Sequence, residues 1–330
     1  MKTNTLLRIA LAGTTAFPTH TAFVQNWQTG GDHCQPDKPR VLPAMMLVLM
    51  LAWGIEGRSL AAVVVESPGA TVAGKTIGAW SAAWWQWAAP LAPPGDPFTD
   101  TTGAAAGKNQ SGPVFFLAGS EGGSNARHFT VPAGTYLLVP LLVGELSQLE
   151  LGFSYTSAQV KQAAKQQADM IDSLHATFDG TLISQATLFT HREVSQSFSF
   201  VAAANNQVGI TGVGNSGIAI ADGYLVMLDP LAPGTHVLNF GGGVSAYGLY
   251  IDETDTITVL PPVVLTAPKW SAGQFGFGVT GPSGSTVVIE SSTNLLNWQA
   301  ASTNILVGGS NYFTAALQGQ GNQYYRARAQ

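Results

Sequence analysis

The sequence contains one string that matches a nucleotide-binding pattern, GATVAGKT at residues 69–76. This string fits the phosphate-binding loop G-x4-G-K-[ST], in which backbone N–H groups and a helix N-terminus surround the phosphates. Such a loop also requires a parallel sheet with crossover helices, and the rest of the sequence predicts very few helices. A chain with 38 glycines produces so short a pattern readily by chance. We therefore expect no nucleotide ligand, and we expect Lys75 to be a solvated residue near a helix start.

Carboxylates are the second group that could carry chemistry, because two of them about 5–10 Å apart can hydrolyse a glycosidic bond. The candidates are Glu145, Asp179, Asp222 and Asp229. Asp179 and Asp222 each precede a glycine, and the Asp-Gly dipeptide is typical of turns. The sequence therefore predicts no catalytic residue. A hydrolase that acts on a polysaccharide remains an alternative.

Metal binding would depend on histidines and carboxylates, because the chain has a single cysteine, Cys34. Four histidines are candidates for ligands: His128, His175, His191 and His236. They are scattered, and none has a second ligand at the spacing that would place two side chains together. We predict neither a metal site nor a cofactor.

Tryptophan supplies the densest group of aromatic side chains, since the string WSAAWWQW holds four of the eight tryptophans in the chain. Read as a helix over residues 77–89, this string places Trp80, Trp84 and Trp87 on one face. Three indoles on one face would bury enough apolar surface to anchor a domain core.

Trp85 points about 140° away from that face and needs a separate explanation. One interpretation is core packing, and the other is an aromatic platform for a sugar or a partner. Arg127 and Glu145 complete this candidate ligand-binding set. The three residues would form a site if they met at a common concave surface.

Composition limits the fold and the partners. Charged residues make up only 10% of 330 residues, and 38 glycines and 18 prolines indicate many turns. We predict a mainly β chain: an antiparallel β-sandwich of the jelly-roll or immunoglobulin-like type, with the tryptophan-rich helix and one long amphipathic helix. The formal net charge of −5 does not indicate a basic surface, so nucleic acid is not an expected partner.

The helix and strand signals place these elements along the chain. Thr156 and Gln159 read as a capping box, and apolar spacing extends the long helix to about Phe178. Residues 223–228 and 235–240 are predicted to pair as a hairpin. Further strands are predicted at residues 113–118, 128–131, 135–143 and 194–200.

Three regions follow from this reading. Residues 1–61 form a leader, residues 62–260 the main β-sandwich domain, and residues 263–330 a small C-terminal β-sandwich module. Within the leader, an apolar run of twelve residues (44–55) is too short to span a bilayer and suits a signal peptide. A short membrane anchor is the alternative. We expect an exported protein, periplasmic, cell-surface or extracellular, that meets a membrane only through its leader.

Two resemblances rest on longer motifs. GKTIGAWSAAWWQW, QSGPVFFLAG, VPAG and PLAPGTH follow one another, and on them residues 74–260 resemble an uncharacterised family of exported bacterial proteins. GPSGSTVVIE, STNLLNW and YRAR lie near the C-terminus, and on them residues 275–330 resemble a module common on exported proteins of Verrucomicrobia and their relatives. The first resemblance implies no established activity, and the second implies an accessory β-sandwich without catalysis.

Three functional hypotheses remain open. The first is a noncatalytic exported binding or cell-surface protein whose partner is a carbohydrate or an envelope component. The second is the polysaccharide hydrolase, which would show two carboxylates in one cleft. The third is a structural envelope component, which would show no cleft and an exposed self-complementary edge or patch.

Overall fold

A computed structural model describes residues 63–120, 122–271, 274–316 and 323–329. The predicted leader, residues 1–61, lies outside these ranges. Strands account for 46% and helices for 15% of the structure, so the chain is mainly β, as predicted. Among the residues described, no helix combines the length and the apolar character needed to cross a membrane.

The described residues up to 260 contain thirteen strands and four α-helices. The strands are β1 Thr71–Val72, β2 Lys75–Thr76, β3 Val114–Phe116, β4 Gly123–Val131, β5 Tyr136–Ser147, β6 Ser173–Phe178, β7 Thr181–Ile183, β8 Arg192–Val194, β9 Val201–Ala202, β10 Gly214–Asn215, β11 Ala219–Leu228, β12 Gly234–Val244 and β13 Leu249–Val259. The helices are α1 Ile77–Ala88, α2 Gln148–Leu151, α3 Ser157–Ala168 and α4 Gln185–Leu188.

Two larger sheets organise this region. One has four strands in the order β3-β5-β11-β8, and the other has five in the order β4-β13-β12-β6-β7. Most neighbouring strands are antiparallel, but β3 runs parallel to β5 and β4 runs parallel to β13. Each sheet therefore has one parallel edge pairing that we did not predict from the sequence.

The four-stranded sheet is buried on both faces. Along β11, Leu225 and Met227 face α1, while Val226 and Leu228 face the five-stranded sheet. This division follows from the alternation of side chains along a strand. All ten residues of β11 are buried, so this strand separates two core layers.

Helix α1 covers the side of this sheet that faces away from the five-stranded sheet. Its N-terminus is capped by Thr76, whose hydroxyl accepts a hydrogen bond from the N–H of Ala79 at 3.2 Å. A buried aromatic group, the tryptophan layer, consists of Trp80, Trp84, Trp85, Trp87, Phe98 and Phe116. Trp80 and Trp84 donate their indole N–H groups to backbone carbonyls at 2.8 Å each. These bonds satisfy polar atoms that the apolar layer would otherwise leave unpaired.

The prediction of one long amphipathic helix is wrong in its second half. Helix α3 begins after the capping box of Thr156, as expected, but it ends at Ala168. The following segment is strand β6, in which Leu174, Ala176 and Phe178 enter the core at a period of two. Leu174 and Phe178 also fit helical spacing, so the local pattern allowed both structures. Pairing of β6 with β12 selects the strand.

The predicted hairpin between residues 223–228 and 235–240 is also wrong. Both segments are strands, but β11 belongs to the four-stranded sheet and β12 to the five-stranded sheet. Residues 229–233 therefore carry the chain from one sheet to the other. A turn rich in proline and glycine fits either connection, so the local sequence could not distinguish them.

The described residues of the C-terminal region form six further strands. They are β14 Val264–Ser271, β15 Gln274–Thr280, β16 Thr286–Ser292, β17 Gln299–Ile305, β18 Ser310–Ala316 and β19 Tyr324–Ala329. They make two three-stranded sheets, β14-β15-β18 and β17-β16-β19. These sheets enclose a small core of their own around Phe277, Val287 and Ile289. Independent folding of this region stays a prediction.

Candidate functional site

The string that resembles a phosphate-binding loop forms a tight hairpin. Strands β1 and β2 pair through Val72 and Lys75, and Ala73 and Gly74 make the turn with positive φ angles of 46° and 82°. The ammonium of Lys75 lies 4.5 Å from the centre of the Trp80 ring, so it makes a cation–π contact. The lysine thus precedes the helix in a paired strand, whereas a phosphate loop would place it at the helix N-terminus.

Trp85, the first candidate ligand-binding residue, is only 5% exposed and belongs to the tryptophan layer. Its ring packs edge-on against Trp84, with ring centres 5.0 Å apart. Its indole Nε1 contacts no hydrogen-bond acceptor within the described residues. The side chain therefore packs in the core and offers no open aromatic surface.

Arg127, the second candidate, is buried in a cluster of charges. Its guanidinium donates to Asp255 at 2.8 and 3.2 Å and to the carbonyl of Ala118 at 2.6 Å, and it lies 3.4 Å from Glu253. Burial raises the pKa of Asp255 to about 6, although Arg127 lowers it in part. A cavity of about 10 Å³, with room for about one water molecule, adjoins Arg127 and Phe129. The cluster is therefore a structural ion-pair group beside a very small space.

Glu145, the third candidate, lies within β5 and not after it, and it is 5% exposed. No N–H or O–H donor among the described residues contacts either oxygen of Glu145. Burial raises the pKa of Glu145 well above its ordinary value, and the charge of Glu150 adds to this effect. Glu145 is therefore a buried acid, whereas Glu150 is half-buried.

The three candidate residues do not meet at one concave surface. Glu145 is opposite Ala221 in the strand register, and Ala221 belongs to the same core cluster as Trp85. Arg127 is opposite Asp255 on the five-stranded sheet, on the face that bears Ile257 and lies across the other core layer. Arg127 and Glu145 therefore lie on different sheets, and Arg127 reaches the core cluster of Trp85 only at the backbone carbonyl of Ala118.

Among the remaining polar candidates, His236, Asp179 and Asp222 have structural partners, whereas Nδ1 of the buried His191 contacts no hydrogen-bond partner among the described residues. His236 is fully buried, and its ring nitrogens lie 2.6 Å from Asp179 and 2.8 Å from the carbonyl of Ala232. Asp222 accepts two hydrogen bonds from Arg192 at 2.7 and 3.0 Å. In the described part of the chain, no group of three His, Cys, Asp or Glu side chains could hold a metal ion.

A polar cluster that was not predicted from the sequence lies on the solvent-facing side of the five-stranded sheet. In register across four strands lie Ser124, Asp252, Gly241 and His175. Asp252 accepts hydrogen bonds from Asn239 at 2.7 Å and Ser124 at 3.1 Å, and it lies 3.1 Å from the His175 ring. The sequence gives no clear signal for this face, because Asp252-Glu-Thr-Asp-Thr is polar at every position, whereas a strand with one buried face alternates polar and apolar residues. We call Ser124, His175, Asn239, Tyr250 and Asp252 the polar face.

Comparison with family models and curated proteins does not assign a function to the sites described above. No protein-family model matches the chain, and no curated protein matches it. The two resemblances drawn from the sequence motifs therefore stay predictions, and the site is interpreted from its own chemistry.

Proposed function

We propose that the protein is an exported, noncatalytic glycan-binding protein, and that the polar face is its binding surface. The observation that carries this proposal is the preorganised carboxylate of Asp252 beside a half-exposed aromatic ring, Tyr250. Sugars present hydroxyl groups to donors and acceptors, and C–H faces to aromatic rings. A surface that combines both kinds of group suits such a ligand.

The carboxylate of Asp252 is held ready to accept hydrogen bonds. Although burial raises its pKa, hydrogen bonds from Asn239, His175 and Ser124 outweigh this effect and hold the pKa below its usual value. Asp252 is therefore ionised near neutral pH, with 28% of its side chain exposed. Ser124 and Asn239 stand on either side of it and can also bond to a bound hydroxyl group.

Two glycines keep the middle of the polar face open. Gly241 lies between Asp252 and His175, and a Cβ at this position would collide with the carbonyl of Ile251 and lie 2.9 Å from His175 Cε1. Gly243 lies between Tyr250 and Ser173 in the next row. The imidazole of His175 can therefore cross above the bare backbone, and it stacks on Tyr250 with ring centres 5.8 Å apart.

The buried candidates support a noncatalytic role. Glu145 is only 5% exposed, whereas a glycosidase needs two carboxyl groups separated by roughly 5–10 Å and open to a substrate. Asp179 and Asp222 are bound by His236 and Arg192. For the fold, we infer that the two sheets form a β-sandwich related to the jelly-roll or immunoglobulin-like types.

Binding to a panel of neutral polysaccharides, followed by calorimetry with any oligosaccharide that binds, tests the proposal. Asp252→Asn keeps the shape and removes the charge, and Tyr250→Ala removes the ring. Each should weaken binding by at least about tenfold, or 1.4 kcal/mol. Thr258→Ala, lower on the same strand, is the matched control and should bind normally. Native affinity in both Asp252→Asn and Tyr250→Ala, or no glycan bound by the native chain, would overturn the proposal.

Export is tested separately by sequencing the N-terminus of secreted protein. The mature chain should begin near residue 62. A secreted chain that retains Cys34 would contradict the proposed leader.

A further inference from the structure

The sheet β14-β15-β18 of the C-terminal region has a strip of bare backbone on its outer face. Side chains of its central strand β15 alternate between the two faces. Phe277 therefore enters the small core of this region, whereas Gly276 and Gly278 lie on the outer face. Because glycine has no side chain, the neighbouring strands supply the groups that border this strip.

Tyr312 on β18 places its ring over part of this strip. It lies opposite Gly278, and a Cβ added at Gly276 would lie 2.7 Å from the Oη and 2.8 Å from the Cε1 of Tyr312. The ring therefore occupies the space that a larger residue at position 276 would fill. Gly276 is buried beneath it, yet 53% of Tyr312 is exposed. The ring is thus held against the sheet and still offers aromatic surface to a ligand.

Two polar side chains stand on either side of Gly276. Lys269 on β14 and Thr314 on β18 are its partners in the strand register. Both point to the outer face, because their chain neighbours Trp270 and Phe313 pack with aromatic rings on the opposite, inner face. Both are exposed. An ammonium group, a hydroxyl group and an aromatic ring therefore border one bare position of the sheet.

The charge of Lys269 has no acidic neighbour in the C-terminal region. Residues 263–330 contain three basic side chains and a single acidic one, Glu290. Glu290 lies on the other sheet, where it accepts hydrogen bonds from Arg326 at 2.7 Å and from Arg328 at 2.9 Å. Residues 62–260, in contrast, contain fifteen acidic and six basic side chains. The outer face of the sheet β14-β15-β18 therefore favours an anionic ligand, whereas Asp252 on the polar face disfavours one.

These groups match the chemistry of a uronic acid. Such a sugar presents C–H groups to an aromatic ring, hydroxyl groups to polar side chains and one carboxylate to a cation. The exposed surface of Tyr312 suits the C–H groups, and the hydroxyl of Thr314 can donate or accept a hydrogen bond. The ammonium of Lys269 can donate a charge-assisted hydrogen bond to the carboxylate.

We propose that the outer face of the sheet β14-β15-β18 binds an acidic polysaccharide, with a uronic acid unit packed on Tyr312 and its carboxylate bonded to Lys269. This site goes beyond the binding surface proposed above. It does not depend on the polar face, because its residues lie on different strands and carry the opposite charge.

Binding of the full chain to polygalacturonate, alginate and hyaluronate, followed by calorimetry with oligosaccharides of the polymer bound most tightly, tests this site. Added salt should weaken binding, because salt screens an exposed cation. Lys269→Ala and Tyr312→Ala should each weaken binding by at least about tenfold. Lys269→Ala should also lose most of the salt dependence. Tyr312→Phe keeps the ring and should bind within about threefold of the native chain.

Two exposed residues of the main region provide matched controls. Lys161→Ala removes a lysine from helix α3, and Tyr155→Ala removes a tyrosine that is 38% exposed. Both variants should bind the acidic polymer normally. Asp252→Asn should bind it normally as well, so a failure of the polar face and a failure of this site are distinguishable.

Three results would overturn the site: no uronic acid polymer bound by the native chain, native affinity in both Lys269→Ala and Tyr312→Ala, or equally tight binding of poly-L-glutamate. The last polymer carries carboxylates without sugar rings, so it would identify an acidic peptide as the ligand. If Tyr312→Ala failed to fold, Lys269→Ala would decide, because its side chain is exposed.

Discussion

Arg127 and Asp255 lie opposite each other on the parallel strands β4 and β13, and the guanidinium donates to both carboxylate oxygens, at 2.8 and 3.2 Å. Arg127 is 4% exposed and Asp255 is fully buried. Two charges removed from water in this way depend on each other, because either one alone would be buried without compensation. This pair joins the edge strand β4 to its neighbour β13 in the five-stranded sheet.

We expect Arg127→Ala to lower the free energy of unfolding by about 3–5 kcal/mol, because it leaves Asp255 and Glu253 without their cation. Urea denaturation monitored by circular dichroism measures this loss. Arg326→Ala is the control, because Arg326 bonds to Glu290 at a similar distance of 2.7 Å but is half exposed. That control should cost less than about 1 kcal/mol. Equal losses in the two variants would contradict the role of burial.

Trp84→Ala should lower the free energy of unfolding by about 3–5 kcal/mol, as large truncations in a core do. Trp84 is 4% exposed, packs against Trp85, Trp87 and Phe98, and loses one hydrogen bond in this variant. Trp270→Ala is the control, because Trp270 is 56% exposed. An unchanged melting temperature in Trp84→Ala would show that the tryptophan layer does not anchor the fold.

The stability of the native chain should fall as the pH rises above the ordinary glutamate pKa. Folding raises the pKa of Glu145 above its ordinary value of 4.5, so the unfolded chain loses this proton first. Below both values, both states are protonated and the group has no effect. Between the unfolded and the folded pKa, stability declines, and each pKa unit corresponds to about 1.4 kcal/mol.

Glu145→Gln should remove this decline, so the variant should be more stable than the native chain at mildly alkaline pH, with no such gain in acid. Urea denaturation at a series of pH values measures the difference. An identical pH dependence in both proteins would show that Glu145 does not titrate with a raised pKa.

Gly241→Ala should destabilise the chain by about 1–3 kcal/mol, because the added methyl group meets the carbonyl of Ile251 and the backbone must move. Glycan binding should fall at the same time, since His175 cannot keep its place beside Asp252. Gly107→Ala is the matched control, because nothing lies within 4 Å of the added methyl group there. If the two variants had equal stability, the close packing at Gly241 would be refuted.

Calorimetric titration with Mg-ATP should give no binding heat, because Lys75 lies in the β1–β2 hairpin and its ammonium faces the Trp80 ring. The backbone N–H groups of a phosphate loop converge on an anion, whereas those strands pair with each other. Lys75→Ala serves as the comparison. Micromolar binding that this substitution abolishes would restore the nucleotide hypothesis.

The sequence alone determined the features that depend on local composition and spacing. Many glycines and prolines with few charges predicted a mainly β chain, and the structure confirms it. The spacing of Trp80, Trp84 and Trp87 predicted their common buried face, because helical geometry depends only on separation along the chain. The capping box at Thr156 located the start of α3, since its hydrogen bonds join residues three positions apart.

Only the tertiary structure decided which strands pair and which polar groups meet. Residues 173–178 fit a helix or a strand until β12 is placed beside them, and the turn at 229–233 fits a hairpin or a crossover. Arg127 and Asp255 are 128 residues apart in sequence, as are Ser124 and Asp252. Contacts at such distances depend on sheet order and register, which the sequence pattern of a single strand does not specify.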